Sequence, residues 1–175
     1  MKSVYIFRGA PATGKGTVVP EFCKLLPGPV AHIDQDVFRW NFHLIGRTVA
    51  DVSEAEHALA YQNMLLVYEQ YLRSSSYEVV VEGLFTWDDT SSSQGSAKHL
   101  AALAEQYGCS VKSIVLTADK QQMLERNARR GYSVPAAEFE LLYSGVYQTV
   151  DSSEIVVDST DQTPRETLAV LKRFI

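Results

Sequence analysis

Five short apolar runs alternate along the chain with segments whose apolar residues recur at helical spacing. Residues 4–7, 30–33, 77–81, 111–116 and 154–157 each read as a strand. Val79-Val80-Val81 and Ile114-Val115-Leu116 are apolar at consecutive positions, as expected of strands covered on both faces of a parallel sheet. Between these runs lie amphipathic stretches. Tyr61, Leu65, Tyr68 and Leu72 form a stripe that predicts a long helix, opened by Ser53-Glu54-Ala55-Glu56 with capping-box spacing. Leu100, Leu103, Ala104 and Tyr107 form a second stripe, ended by Gly108. Phe139, Leu142, Tyr143 and Val146 form a third beginning at Pro135, and Leu168, Leu171 and Ile175 a fourth. The fourth follows Thr163-Pro164-Arg165-Glu166, which supplies a cap, a proline at the first helical position and a reciprocal glutamate. Residues 18–26 read as a helix with Val18, Phe22, Leu25 and Leu26 inward, stopped by Pro27-Gly28-Pro29. Pro20 predicts a kink in it. Residues 37–44 read as a further short helix, and 86–96, rich in Ser, Asp and Gly, as a mobile loop in which Trp87 is either a lid or a packing anchor. Strands alternating with helices predict an α/β fold with a parallel sheet. No internal repeat or second domain is visible, so residues 1–175 are expected to form one domain.

The first strand runs into Gly9-Ala10-Pro11-Ala12-Thr13-Gly14-Lys15-Gly16-Thr17, and a helix follows. Two glycines four residues apart, then a lysine, form a phosphate-binding loop pattern in the strand-to-helix context that its chemistry requires. The glycines let successive backbone N–H groups turn toward one anion. The helix adds the positive end of its dipole, and Lys15 a mobile charge for the terminal phosphates. Residues 9–17 are therefore candidate nucleotide contacts. The usual residue after the lysine is Ser or Thr, whose hydroxyl reaches magnesium; here Gly16 stands there, with Thr17 one place on.

In an open parallel sheet, ligands gather beyond the carboxyl ends of the strands. Asp34, Gln35, Asp36 and Arg39 follow the second strand. Asp36 either caps a helix beginning near Val37 or takes the proton of an acceptor hydroxyl. Arg39 is either solvated or holds an anionic part of the acceptor. Glu82, directly after the third strand, either caps a turn or holds metal-bound water beside the loop. After the fourth strand, Asp119 and Gln122 suit a helix start. Arg126, Arg129 and Arg130 then form either a solvated face, with Arg126 and Arg130 aligned four residues apart, or a lid that clamps polyphosphate, with Gly131 as its hinge. His57, near the start of the long helix, reads as exposed and without a catalytic partner.

Composition adds exclusions. A net charge of −5 over 175 residues argues against a general nucleic-acid binder. Two distant cysteines, Cys23 and Cys109, read as free thiols, with no metal-ligand spacing. With no signal peptide and no apolar stretch of membrane length, the expectation is a cytoplasmic protein without membrane partners.

The string Gly-x-Pro-x-x-Gly-Lys-Gly-Thr resembles adenylate kinases and their relatives, and the resemblance implies that Thr17 takes the phosphate-facing hydroxyl role. The order of elements resembles the nucleoside monophosphate kinase-like branch of P-loop kinases over nearly the whole chain. That resemblance implies a three-layer αβα fold with strand order 2-3-1-4-5, and an acceptor-binding segment at residues 37–76. It implies site residues at Asp36, Arg39 and Glu82-Gly83, and a short lid at 126–135 carrying Arg126 and Arg130, with Arg129 less secure. The loop at 159–163 would border the adenine, opposite Arg126. The string Glu82-Gly83-Leu84-Phe85-Thr86 lacks the Pro-Arg of true adenylate kinases. The pattern is closer to small kinases resembling polynucleotide 5′-kinase, chloramphenicol phosphotransferase and zeta toxins, which phosphorylate a hydroxyl.

These readings converge on an ATP-dependent phosphotransferase using Mg²⁺. Residues 9–17 and Lys15 would hold the phosphates, Thr17 and Glu82 the metal, Asp36 the acceptor proton, and Arg126 with Arg130 the charge in transit. The acceptor is a small molecule, with a nucleic-acid end a less favoured partner. The rivals are a nucleoside monophosphate kinase with a phosphate acceptor and a nucleotide-binding switch without turnover.

Overall fold

The computed structural model describes residues 2–42, 52–88, 92–130 and 133–175. Five strands form one parallel sheet: β1 (Ser3–Arg8), β2 (Val30–Asp34), β3 (Glu78–Gly83), β4 (Ser110–Thr117) and β5 (Ile155–Asp158). Their order is β2-β3-β1-β4-β5. The register pairs Val4 with Val79 and with Val111, so the three most apolar strands lie side by side in the middle. The helices are α1 (Lys15–Cys23), α2 (Gln35–Trp40), α3 (Glu54–Arg73), α4 (Ala97–Gln106), α5 (Lys120–Ala128), α6 (Ala136–Tyr147) and α7 (Pro164–Leu171).

Alternation along each strand sends side chains to two separate cores. Val4, Ile6, Ile33, Val79 and Val81 face Met64, Tyr68 and Leu72 of α3 and Leu100 of α4. Tyr5, Phe7, Val80, Ile114 and Leu116 face Val18, Val19 and Phe22 of α1 and Leu171 of α7. This is the three-layer αβα arrangement with the 2-3-1-4-5 order that the family resemblance implied. A third, smaller cluster joins Ala10 of the glycine-rich loop to Met123 of α5 and Phe139 of α6.

The helix starts follow local chemistry. Ser53 with Glu56 and Thr163 with Glu166 form complete capping boxes on α3 and α7. Asp119 caps α5 by accepting from Gln122 N. Several details differ from expectation. The buried face of α3 is Ala60, Met64, Tyr68 and Leu72, with Tyr61 and Leu65 packed at its edge. Helix α1 begins three residues earlier than periodicity suggested, at Lys15, and runs through Pro20. The carbonyl that Pro20 leaves without a helical partner belongs to exposed Gly16, where water can serve it. Residues 86–88 and 92–96 are tied down rather than loose. Thr86 N donates to Gly95 O at 3.0 Å, and Ser96 Oγ to Trp87 O at 2.6 Å. Trp87 packs on the core as an anchor. The far end of the helix expected at 37–44, part of the acceptor segment at 37–76, and the hinge at Gly131 in the lid at 126–135 lie outside the described residues.

One buried ion pair fastens the loop-bearing end of β1. Arg8 and Glu154 are both fully buried and joined by two hydrogen bonds, one from Arg8 Nε to Glu154 Oε1 at 2.7 Å and one from Nη2 to Oε2. Arg8 Nη1 also donates to Val146 O at 2.8 Å and Nη2 to Thr149 O at 3.0 Å, at the end of α6. Ser113 Oγ and Asp151 N donate to the two oxygens of Glu154, at 2.8 and 3.1 Å. Such a network tolerates burial because both groups are paired and hydrogen-bonded. Removing one partner leaves the other charged and dry. Glu154→Ala is expected to lower stability by about 3–5 kcal/mol, read from the urea midpoint; a loss below about 1 kcal/mol would mean that Arg8 reaches water in the variant.

Candidate functional site

The loop between β1 and α1 turns back against the end of β4. A Cβ on Gly9 would stand 2.7 Å from the Leu116 carbonyl oxygen, so no side chain fits there. Gly14 takes φ 95°, and Ala12 is the non-glycine residue with positive φ among those described, at 65°. Alternation of this kind points backbone N–H groups inward as an anion nest. Thr13 Oγ1 donates to Ala10 O at 3.0 Å and ties the bend together. Tyr147 of α6 holds the loop from outside: its hydroxyl accepts from Ala10 N at 3.3 Å and donates to Leu116 O at 2.9 Å. Burial pushes this hydroxyl's pKa up to about 12, so it stays a donor.

Lys15 opens α1 and folds back over the loop. Its Nζ donates to Gly9 O at 2.5 Å and to Ala10 O at 3.3 Å. Burial pulls the ammonium below the ordinary lysine range; Glu82, Asp36 and Asp34 oppose the shift, and Arg130 adds to it. The charges of all four groups thus reach Lys15 at the carboxyl edge of the sheet, where an open parallel sheet gathers ligands.

Asp34 and Glu82 are register partners on β2 and β3, on the sheet face that Val80 presents to α1. Glu82 lies within β3 and is buried, so it does not cap a turn. Its Oε1 pairs with His32 Nε2 at 2.8 Å. Asp34, not Asp36, caps α2: its Oδ1 accepts from Asp36 N at 2.9 Å. The helix starts two residues earlier than expected, at Gln35, which leaves the Asp36 side chain half-exposed and out of the cap. Burial raises the Asp34 carboxyl above its usual range.

Arg39 is 3% exposed, contrary to a solvated reading. Its Nη1 donates to Asp36 Oδ1 at 2.8 Å, its Nη2 bonds Gln94 Oε1, and its Nε is buried without a partner. Gln35, fully buried, joins the same network: Nε2 donates to Gln94 O at 2.7 Å, and Oε1 accepts from Leu84 N at 3.0 Å. His57 is half-buried rather than exposed, with Nδ1 shut off from water and unpaired. Burial and the charge of Arg39 hold its pKa below the usual imidazole value. Sequence reading gave Gln35, Gln94 and His57 no role. The only available signal was Gln35, a long polar residue between two aspartates at a strand end.

The three arginines separate. Arg126 Nη2 donates to Gln122 Oε1 at 3.1 Å, and its side chain lines a cavity of about 270 Å³. The other walls are Thr13, Gly14 and Thr17 at the loop, and Ser159, Gln162 and Pro164 before and at the start of α7. Arg129 turns outward, 3.7 Å from Glu125. Arg130 lies past the end of α5 at Ala128, so it does not share a helical face with Arg126; its charge nonetheless bears on Lys15. Asn127, absent from sequence reading, closes the base of this segment: Nδ2 donates to Val134 O at 2.8 Å, and Oδ1 accepts from Val134 N at 3.0 Å.

Near the loop stand the Thr17 hydroxyl and the carboxylates of Asp34, Asp36 and Glu82, the last with Oε1 paired to His32 Nε2. No cluster of three His, Cys, Asp or Glu side chains suited to a metal occurs among the described residues. Hydroxyl and carboxylate oxygens are the donor type that suits Mg²⁺, which takes one or two protein oxygens and completes its shell with phosphate oxygens and water.

The sheet order, the loop after β1 and the carboxylates at the carboxyl ends of β2 and β3 define a P-loop kinase fold. The profile of the AAA domain family matches residues 4–147, and the chain belongs to that family. No curated protein sequence matches it. Its structure is similar to a gluconokinase from Sinorhizobium meliloti 1021, at 18% identity and TM-score 0.64, over 99% of this chain and 93% of that one. A shikimate kinase from Aquifex aeolicus vf5 shows 15% identity and TM-score 0.60, over 97% and 92%. A sugar kinase from Janibacter sp. HTCC2649 shows 11% and 0.60, over 98% and 92%. Among the described residues no helix is long and apolar enough to cross a membrane.

The His32–Glu82 pair carries a pH signature. The hydrogen bond to Glu82 raises the His32 pKa above the ordinary imidazole value of 6.5. The pair's stabilisation is then full below pH 6.5 and is lost as pH rises through the folded value. Between pH 8 and pH 6 the wild type should gain stability relative to His32→Gln in urea unfolding. An identical pH response of the two proteins would show that the pair is not charged in the folded state.

Proposed function

We propose that the protein is an ATP-dependent phosphotransferase that moves the γ-phosphoryl group to a hydroxyl of a small molecule. The reading is carried by the gathering of Lys15, Asp36, Glu82 and Arg130 about one loop whose amides form an anion nest. In this scheme, residues 9–17 and the start of α1 hold the β- and γ-phosphates, and Lys15 swings from the Gly9 and Ala10 carbonyls to the phosphate oxygens. Asp36 accepts the acceptor's hydroxyl proton. A bond forms between that oxygen and the γ-phosphorus while the bond to the β-phosphate oxygen breaks, and the nucleoside diphosphate leaves. Arg126 and Arg130 neutralise the charge that builds on the moving group. Thr17 and Glu82 would hold Mg²⁺, which supplies charge neutralisation on the phosphates when bound.

A hydroxyl acceptor is favoured over a phosphate by the state of Arg39. Its guanidinium is buried and committed to Asp36 and Gln94, so it orients the carboxylate rather than offering an open fork to an anion. That structurally similar proteins include a sugar kinase, a shikimate kinase and a gluconokinase supports phosphoryl transfer.

The test is uptake of labelled phosphate from ATP by nucleosides, nucleotides, sugars and other alcohols. On the acceptor so found, Lys15→Ala should abolish measurable turnover while the unfolding midpoint stays near the wild type; retained turnover refutes the assignment. Asp36→Asn should lower turnover by about 10²–10⁴-fold with ATP affinity kept. An unchanged rate would remove Asp36 from the chemistry and reopen a phosphate acceptor, which needs no base.

A further inference from the structure

We propose that Gln94 restricts this site to uncharged alcohols: its carboxamide oxygen, bonded to Nη2, closes the guanidinium fork of Arg39 to any anionic part of the acceptor. The inference rests on the reading of Asp36 as the base for an acceptor hydroxyl, and deepens it. That reading concerns the group that reacts; this one concerns the charge carried elsewhere on the same molecule.

Arginine grips an oxyanion through two parallel N–H groups. A guanidinium offers such a pair at its end, from Nη1 and Nη2, and at its side, from Nε and Nη2. Nη2 belongs to both. In Arg39 that nitrogen is bonded to Gln94 Oε1, and Nη1 donates to Asp36 Oδ1 at 2.8 Å. Nε is buried without a partner. An oxyanion approaching either pair therefore meets an oxygen already bonded to Nη2. With an apolar side chain at position 94, Nε and Nη2 would both lack that oxygen, side by side, which is an open fork.

The segment that carries Gln94 is tied at several points. Gln94 O accepts from Nε2 of fully buried Gln35 at 2.7 Å, and Gln94 N donates to Ser92 Oγ at 3.2 Å. Gln35 lies close against Gly83, where a Cβ would stand 2.4 Å from Gln35 Oε1. The residue after Gln94, Gly95, accepts from Thr86 N through its carbonyl at 3.0 Å. The carboxamide is therefore delivered to Arg39 from a fixed backbone. Charge points the same way. Burial draws the Arg39 pKa below its ordinary value, and the carboxylates of Asp36, Asp34 and Glu138 oppose that shift. Three negative groups thus already bear on one guanidinium. His57, a second base near Arg39, is held below the usual imidazole value by burial and by Arg39 itself, so it adds no cation at neutral pH. An anionic acceptor would meet this surplus of negative charge, and an uncharged alcohol would not.

The fork is read by nuclear magnetic resonance on the full chain with isotope-labelled arginine. Sodium formate is the probe, and Arg39→Lys assigns the Arg39 Nε–H signal. In the wild type that signal should stay in place as formate rises. In Gln94→Leu, and in Gln94→Asn, whose shorter side chain withdraws the oxygen, it should shift with saturation, at least about tenfold more tightly than any wild-type response. Gln94→Glu, which keeps an oxygen for Nη2, should behave as the wild type. A saturable shift in the wild type overturns the proposal, as does a still signal in the leucine variant; the asparagine variant decides should leucine not fold. Acceptor class is read by transfer of labelled phosphate from ATP to matched pairs, glucose with gluconate and glycerol with glycerate. The wild type should favour the uncharged member at least about tenfold in kcat/KM. Gln94→Leu should narrow that ratio about tenfold, through a lower KM for the acid and a lower kcat on the alcohol. A wild type that prefers the acids overturns the proposal. Full turnover in Asp36→Asn, with the wild-type formate response intact, instead brings down the base reading and the acceptor class with it.

Discussion

The ammonium of Lys15 resting on the carbonyl oxygens of Gly9 and Ala10 is the contact about which the rest of the molecule is arranged. A cation drawn into a bend of the chain is costly unless other charges offset its desolvation. Here the offset comes from three carboxylates delivered by two neighbouring strands and one short helix: Asp34, Asp36 and Glu82. Parallel pairing makes this possible, because every strand of the sheet ends at the same edge. The lysine rests on the loop's own carbonyl oxygens.

The bend is held from the far side as well. Tyr147 ties Ala10 to Leu116, Gly9 admits no side chain against that same carbonyl, and Arg8 locks the end of β1 to Glu154 and to the last turn of α6. Helix α6 therefore serves as a brace for the loop, although it lies more than a hundred residues away in sequence. The Asn127–Val134 clamp works similarly on the segment that carries Arg130. These contacts fix the loop and its surroundings from several elements at once.

Much of this was legible in the sequence. Strand identity and the parallel class followed from consecutive valines and isoleucines, and helix starts from Ser53, Asp119 and Thr163, because those signals act within a few residues. The glycine-rich loop was legible for the same reason. What escaped was decided by distant partners. Nothing near Asp34 in sequence says that it, rather than Asp36, will accept the first free amide of α2. Nothing near Arg39 announces that Gln94 will draw it inside. Arg126 and Arg130 looked aligned because four-residue spacing presumes a helix, and the helix ends between them. Gln35, Asn127 and Tyr147 have side chains whose importance lies wholly in what they meet across the fold.

The buried pair of Arg8 and Glu154 carries a consequence for descent. A lineage that trades either residue alone strands a charge in the interior, whereas trading both for apolar residues of matching volume can leave stability intact. The two positions, 146 apart in the chain, should therefore drift in concert or stand still together. That covariation would persist among relatives of quite different function, since it answers to the dielectric of the core and not to the chemistry of the site.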